Sequence, residues 1–375
     1  MKALSLFANI GIAEAYLQSI GIDVVIANEL ISKRAELYQK IYPHTHMICG
    51  DITNYKVFEN IISESKKQKI DIIMAMPPCQ EIIKTNKQQK DVKESLIIPV
   101  IDLTLKLMPS YVFIENAPSL LSSSIIFENK NISINDLLRE VLGDKYNINM
   151  YQIDTKDYSV PQTKERAIIL MSRKDQEKVW TLPNKDEKII TLREAIGDIP
   201  ILDPYIRDIN RSELLEHFPN YEKRRKAALK ISKLHFPPSH LLSEVTAMEY
   251  TPEGCTAFGN SKYKPIKTNG EHGKIYKNTY KRQRWDEPAY TIPVDNIKIS
   301  SQNNVHPGRF IGKNLNGDNI YSDPRAFTIY ELMLISTLPI DWPIPNNTSK
   351  SFLRTLISEG MPPLFIKKVF KSLLK

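Results

Sequence analysis

Asp71-Ile72-Ile73-Met74-Ala75-Met76-Pro77-Pro78-Cys79-Gln80 is the stretch whose reading decides the fold. Ile72 to Met76 is an unbroken apolar run of strand length, as expected for a strand buried on both faces. It stops at Pro77-Pro78, because proline lacks an N–H and fixes φ, so the ladder ends and a stiff loop begins. The first residue past that stop is Cys79. Open α/β sheets place their ligands at the carboxyl ends of their strands, and this pattern sets one thiol on a rigid backbone at that edge. A thiol so placed is either a nucleophile or a small apolar core residue, the commoner fate of a free cysteine. Taken alone, Cys79 slightly favours the second reading. The surrounding chain reverses that.

The 375 residues, 42% of them hydrophobic, suffice for one large domain and a smaller one. A formal net charge of +8 suits a polyanionic partner. The three cysteines, Cys49, Cys79 and Cys255, make neither a disulfide framework nor a zinc-ligand spacing, so no metal is expected and a reducing cytoplasm is the expected home. The apolar start breaks at Asn9 and Gly11, too early for a signal sequence. No later stretch reaches membrane length.

Strands are expected at Ala3–Phe7, Asp23–Ala27, Met47–Cys49 and Tyr111–Ile114, with a closing pair at Ile148–Ile153 and Arg166–Met171. Ile12–Ile20 reads as a helix closed by Gly21, and further helices are expected at Ser95–Leu107, Ile329–Ser336 and Leu364–Leu374. Several strands end in an acid: Asn28-Glu29 after the second, Gly50-Asp51 after the third, Glu115-Asn116 after the Tyr111 strand. Glu29 can hold ribose hydroxyls. Asp51 can accept from an adenine amino group, or it caps the helix expected after Thr53. Glu115, at the same edge as a thiol, is a candidate general acid; the alternative for each is a solvated carboxylate. The polar stretch 81–91 reads as a lid loop. After Ser172 the periodicity weakens and bases cluster, at 222–233 and again at 274–285, the second interleaved with aromatics in a way that suits nucleic acid.

In this order the motifs resemble the cytosine-5 DNA methyltransferase family of bacterial restriction-modification type. Phe7-Ala8-Asn9-Ile10-Gly11 is similar to its first motif, FAGxGG. Met76-Pro77-Pro78-Cys79-Gln80 is similar to GPPCQ, Glu115-Asn116 to ENV, and Gln162-Thr163-Lys164-Glu165-Arg166 to QxRxR. Asp323-Pro324-Arg325 through Glu331 to Pro339 is similar to the ninth motif, and Ile357 to Pro363 to the tenth, GNxxP. Asn9 and Ile12 replace glycines, Lys164 an arginine, Ala117 a valine and Glu359 an asparagine.

The resemblance implies a Rossmann-like α/β fold for S-adenosylmethionine-dependent transfer, a mixed sheet with helices on both faces. Residues 1–175 and 320–375 would form the catalytic domain and 176–319 a smaller target recognition domain with its hinge. It implies that Cys79 adds to carbon-6 of a flipped-out cytosine, with Glu115 and Arg166 assisting and Gln80, Asn116 and Lys164 around them, and that carbon-5 is methylated. Phe7, Ala8, Asn9, Gly11, Glu29, Leu30, Asp51, Ile52, Pro77 and Glu359 would line the cofactor pocket. Lys281, Arg282, Arg284 and Arg309, with Asn278 and Gln283, would meet double-stranded DNA. A monomer and a companion restriction endonuclease acting in trans are expected from the same resemblance. Its nearest rival is a tRNA cytosine-5 methyltransferase, disfavoured because Cys255-Thr256-Ala257-Phe258 lacks the Phe-Thr pair usual beside that branch's cysteine. A catalytically silent DNA-binding protein is the rival from another class. No GxGxxG follows the first strand, which argues against a dinucleotide oxidoreductase.

Overall fold

The computed structural model describes residues 1–78, 95–128, 130–265 and 277–374. The expected apolar runs form β1 (Lys2–Leu6), β2 (Asp23–Glu29), β3 (His46–Cys49), β4 (Ile72–Ala75) and β5 (Tyr111–Asn116). Ser124–Phe127 and Lys130–Ser133 pair as a small hairpin, β6 and β7. The closing pair is β8 (Tyr146–Asp154) and β9 (Glu165–Arg173). The main sheet runs β3-β2-β1-β4-β5-β9-β8. The first five are parallel, whereas β9 lies antiparallel to both β5 and β8. Strand order reverses between β1 and β4, so a crevice opens where Phe7 and Met76 leave the sheet.

Both faces of the sheet are covered, and alternate residues of a strand point to opposite cores. Ile73 and Ala75 join α2 (Tyr55–Gln68), α3 (Ile97–Leu107) and α4 (Ile134–Leu142) on one side. Ile72 and Met74 face Leu17, Trp180 and a C-terminal helix, Pro363–Leu374, on the other. A third core gathers Ile10 and Ile12, α1 (Ser32–Ile41), α5 (Leu192–Ile196), Trp285 and two further helices, Ile329–Ile335 and Lys350–Glu359. Between these lie α6 (Arg211–His217), α7 (Tyr221–Ile231) and α8 (Leu242–Glu249), so the last three helices are α9, α10 and α11. The basic cluster at 222–226 lies on α7. Among the described residues, no helix is long and apolar enough to cross a membrane.

Two local expectations need correction. Residues 12–20 do not form an α-helix. Their amides bond three residues back, from Glu14 to Gly11, Leu17 to Glu14 and Ile20 to Leu17. Only Gln18–Ile20 closes as a 3₁₀ turn, ended as expected by Gly21 at φ 80°. Ile12, Ala13, Glu14 and Leu17 are all buried, and the polar tethers of Glu14 hold the segment in a tight coil that periodicity cannot distinguish from a helix. Asp51 does not cap α2. Asn54 does, accepting from the Lys56 amide, and Asp51 Oδ1 instead closes the turn by accepting from the amide and hydroxyl of Thr53.

Candidate active site

The carboxyl edge of the sheet brings together the ends of β1, β2, β3, β4 and β5. The loop after β1 turns sharply, with Phe7 and Asn9 at φ 58° and 52°. Asparagine tolerates this left-handed region better than most residues, which explains how it can stand at a glycine position. Gly11 is at φ 78°, and a Cβ there would lie 2.2 Å from the Tyr42 ring. The ring's hydroxyl donates to the Gly11 carbonyl at 2.6 Å.

Glu29 ends β2 almost fully buried. Its Oε2 accepts from the Asn9 amide at 2.9 Å and its Oε1 from the Ile31 amide at 3.0 Å. Burial raises its pKa, against the two amides and Arg34. Each oxygen keeps a lone pair for a further donor. Asn28, which sequence reasoning did not single out, ties the next strand end by donating to the carbonyls of Ile48 and Gly50. Asp51 is exposed beside it. Leu30 is 62% exposed, and Phe7 half-buried. Ile52 belongs to the core, so its side chain anchors the turn.

These residues fit the adenosyl group of S-adenosylmethionine. A fixed carboxylate for the ribose diol, a second one for an exocyclic amine and an apolar rim for the ring supply matching chemistry. A buried amide oxygen, Asn9 Oδ1, has no partner among the described residues and lies in the same loop.

Across the crevice, Pro77 is buried and Pro78 exposed. Cys79, Gln80 and the lid stretch 81–91 lie outside the described residues. The backbone that leads to the thiol is nevertheless fixed. Asn116 Nδ2 donates to the Pro77 carbonyl at 2.9 Å, while its Oδ1 accepts from the Ala117 amide. Next to it, Glu115 Oε1 lies 2.6 Å from Arg166 Nε. Arg166 reaches it because β9 is antiparallel to β5, with Asn116 opposite Ala167. The strands therefore bring an acid, a base and the nucleophile's tether to one place.

Three expected DNA contacts, Arg282, Gln283 and Arg309, move, and Lys164 gains a structural role. Lys164 is buried and donates its Nζ to the carbonyls of Ser358 and Gly360, at 2.9 and 2.6 Å. It fastens the C-terminal end of α10 through these two carbonyls. Arg282 is fully buried and donates to the carbonyls of Met248, His306 and Asp323, so it cannot reach DNA. Burial lowers its pKa to about 10. Gln283 is likewise buried, donating to Asn303 O. Arg309 is half-buried and donates to the carbonyls of Gly197 and Ile199 over the Trp285 ring. Arg284 is exposed, paired with Asp286 and Glu287. Lys281 lies over Tyr290. Glu359 does reach the first loop, accepting from Asn9 Nδ2 at 3.3 Å.

Sequence reasoning passed over Glu14, which lies beneath the first loop. Its carboxyl accepts from Ser5 Oγ at 2.6 Å and from the Tyr38 hydroxyl. Burial raises its pKa from 4.5 to about 7, against those two hydrogen bonds. Below pH 4.5 folded and unfolded chains both carry this proton. Between the two values the folded chain holds more protons, so stability falls as pH rises, by on the order of 3 kcal/mol across the window. Above pH 7 the penalty is complete. Glu14→Gln keeps an acceptor for Tyr38 and cannot ionise. It is expected to be more stable than wild type at pH 8 by up to that amount, with the gap closing by pH 5. Urea unfolding of both proteins at the two pH values checks this, and an equal pH dependence in both would sink the assignment.

The profile of the C-5 cytosine-specific DNA methylase family matches residues 1–375. The Type II methyltransferase M1.HgaI of Avibacterium volantium is 37% identical over 379 residues, covering 100% of this chain and 98% of its own. M.NgoPII of Neisseria gonorrhoeae is 27% identical over 205 residues, covering 53% and 57%. Among solved structures, the methyltransferase EhMeth of Entamoeba histolytica superposes with a TM-score of 0.60 at 13% identity, covering 100% and 98%, which supports the fold. A match along the whole chain, on a sheet edge of this geometry, places it: the chain belongs to the C-5 cytosine-specific DNA methylase family.

Proposed function

We propose that this protein is the modification enzyme of a restriction-modification system, methylating carbon-5 of one cytosine within a specific duplex sequence. The observation that carries the residue roles is the Asn116–Pro77 hydrogen bond beside the Glu115–Arg166 pair, because it fixes the Pro77 carbonyl, two residues before the thiol in sequence, next to an acid. S-adenosylmethionine, when bound, supplies an electrophilic methyl group. Phe7, Leu30 and Pro77 pack its adenine, Glu29 takes the ribose hydroxyls and Asp51 the amino group; Ala8 and Gly11 let the backbone approach.

Carbon-5 of cytosine is too weakly nucleophilic to take that methyl unaided. The Cys79 thiolate adds to carbon-6, and the ring's electron pair moves toward carbon-5 while charge builds at nitrogen-3. Glu115 meets that charge with a proton, and Arg166 holds Glu115 in place. Once the methyl is on, a water molecule takes the carbon-5 proton, nitrogen-3 returns its proton to Glu115, and the carbon-6–sulfur bond breaks, which frees the thiolate and restores the ring. The cytosine must leave the stack to reach the thiol, at a cost of a few kcal/mol.

Residues 176–319 act as the target recognition domain against the catalytic 1–175 and 320–375. Arg284 and Lys281 are its candidate DNA contacts. A solvated α7, carrying Lys223, Arg225 and Lys226, adds sequence-independent attraction that weakens with salt. The protein acts as a monomer in the cytoplasm, with its companion endonuclease acting in trans.

The test is transfer of labelled methyl groups to mixed-sequence duplex DNA and, separately, to structured RNA. Label in DNA cytosines within one repeated sequence context is expected. Label confined to RNA would overturn the reading of the substrate. Absence of label, with DNA still shifted on a gel, would favour the silent binder.

A further inference from the structure

Four of the five departures from the family motifs meet at one place. The segment Ser358-Glu359-Gly360, the last two residues of α10 and its C-cap, is held from below by Lys164 through two of its carbonyls. Ile12 packs against it so closely that a Cβ on Gly360 would lie 2.7 Å from the Ile12 side chain. From the cofactor side, Asn9 Nδ2 donates to Glu359 Oε2. Glycine at position 9 could not make that bond, and asparagine at 359 would not carry the charge.

The fourth partner comes from a residue that no motif includes. Arg34 sets its guanidinium on Glu359 with Nη1–Oε2 at 2.9 Å and Nη2–Oε1 at 3.3 Å, a forked pairing. Arg34 is half-buried in the first turn of α1, next to Lys33. Cations there oppose the helix dipole, so helix stability does not explain it. Its place is explained by two carboxylates. Glu29 and Glu359 both act on the same loop residue, Asn9, and each raises the cost of the other's charge. Arg34 offsets that repulsion, and so permits a carboxylate at 359.

We propose that Arg34 is a positioning residue for the methyl donor, forming with Glu359 and Asn9 a clasp that ties α1 and the end of α10 to the first loop. The clasp holds Asn9 in its left-handed turn, and thereby holds the Glu29 carboxylate at the ribose position. It replaces, as a unit, the glycine and asparagine of the family motifs. The inference rests on the cofactor reading above.

The experiment is direct calorimetric titration of S-adenosylmethionine into the full chain, with melting temperature and methyl-transfer kinetics alongside. Wild type, Arg34→Ala, Arg34→Lys, Glu359→Gln, Asn9→Gly, the double variant R34A/E359Q and the exchanged pair R34E/E359R are compared. Arg34→Ala and Glu359→Gln are each expected to weaken cofactor binding about tenfold, and the double variant no more than the worse single. Arg34→Lys keeps part of the affinity, and the exchanged pair binds the cofactor more tightly than the double variant R34A/E359Q. At saturating cofactor kcat falls far less than the affinity does. Effects that multiply to about a hundredfold in the double variant would show independent residues and overturn the clasp. So would a lowered melting temperature with unchanged affinity, which marks a merely structural pair. Wild type failing to bind the cofactor would instead overturn the donor reading, and the clasp with it.

Discussion

Arg325→Met is expected to destabilise the protein by about 3–5 kcal/mol, the range for a buried ion pair that loses one partner. Arg325 is fully buried, and its five N–H donors are all used. Nε donates to Leu202 O, Nη1 to Ala326 O and Glu331 Oε2, and Nη2 to Asp323 Oδ1 and Glu331 Oε1, at 2.8 to 3.1 Å. Burial alone would raise both carboxyls, but Arg325 helps hold Glu331 and Asp323 well below the usual range. Methionine fills much of the volume but strands those two charges. In the wild type the nearby His306 supplies no cation near neutral pH, since burial lowers its pKa to about 4. The loss spreads, because Glu331 also accepts from the Thr328 amide in the capping box of α9, and Asp323 accepts from the Leu202 amide. Arg325→Lys, with three donors in place of five, should fall between the two proteins. Urea unfolding measures the difference, and a methionine variant within about 1 kcal/mol of wild type would show that the pocket relaxes around the bare carboxylates.

The same cluster shows what the sequence could and could not convey. Strands were legible because a parallel sheet buried on both faces demands continuous apolar runs, and Ile72 to Ala75 is one of them. The acids at strand ends were legible for a related reason: chain connectivity alone places Glu29, Asp51 and Glu115 at one edge. Arg282 was misread as a DNA contact because its chemistry is that of a phosphate ligand. Its actual partners are carbonyls of Met248, His306 and Asp323, brought together only by the fold. Lys164 and Glu359 read in the sequence as separate departures, although the first fastens the helix end that carries the second. Local pattern also failed at residues 12–20, where buried Glu14 and the glycine turn outweigh a helix-like spacing. The region 176–319 resisted reading throughout, since its order comes from long-range side-chain contacts such as Arg309 to Gly197 and not from periodicity.

Cys79→Ala should abolish methyl transfer, whereas Glu115→Gln should leave a remnant lowered by about 10²–10⁴-fold, the usual contribution of a positioned acid. The two differ because their tasks differ. Without the thiol no bond forms at carbon-6, and carbon-5 never becomes nucleophilic. Glutamine in place of Glu115 can still donate a hydrogen bond toward nitrogen-3, yet it cannot give up a proton, so the adduct forms less readily. Its amide also loses the charge that Arg166 pairs with at 2.6 Å, and the freed guanidinium no longer orients the group. Both variants should retain cofactor binding, because neither side chain is among those that fit the adenosyl group. DNA bearing 5-fluorocytosine at the target separates the steps. After methyl transfer the fluorine cannot leave as the proton does, so the thioether to carbon-6 persists. Wild type should therefore migrate with that DNA on a denaturing gel, Glu115→Gln should do so slowly, and Cys79→Ala should not do so at all. A covalent complex formed by Cys79→Ala would remove the thiol from the mechanism. Wild-type rates in Glu115→Gln would leave the Glu115–Arg166 pair a structural one, with the proton reaching nitrogen-3 from elsewhere.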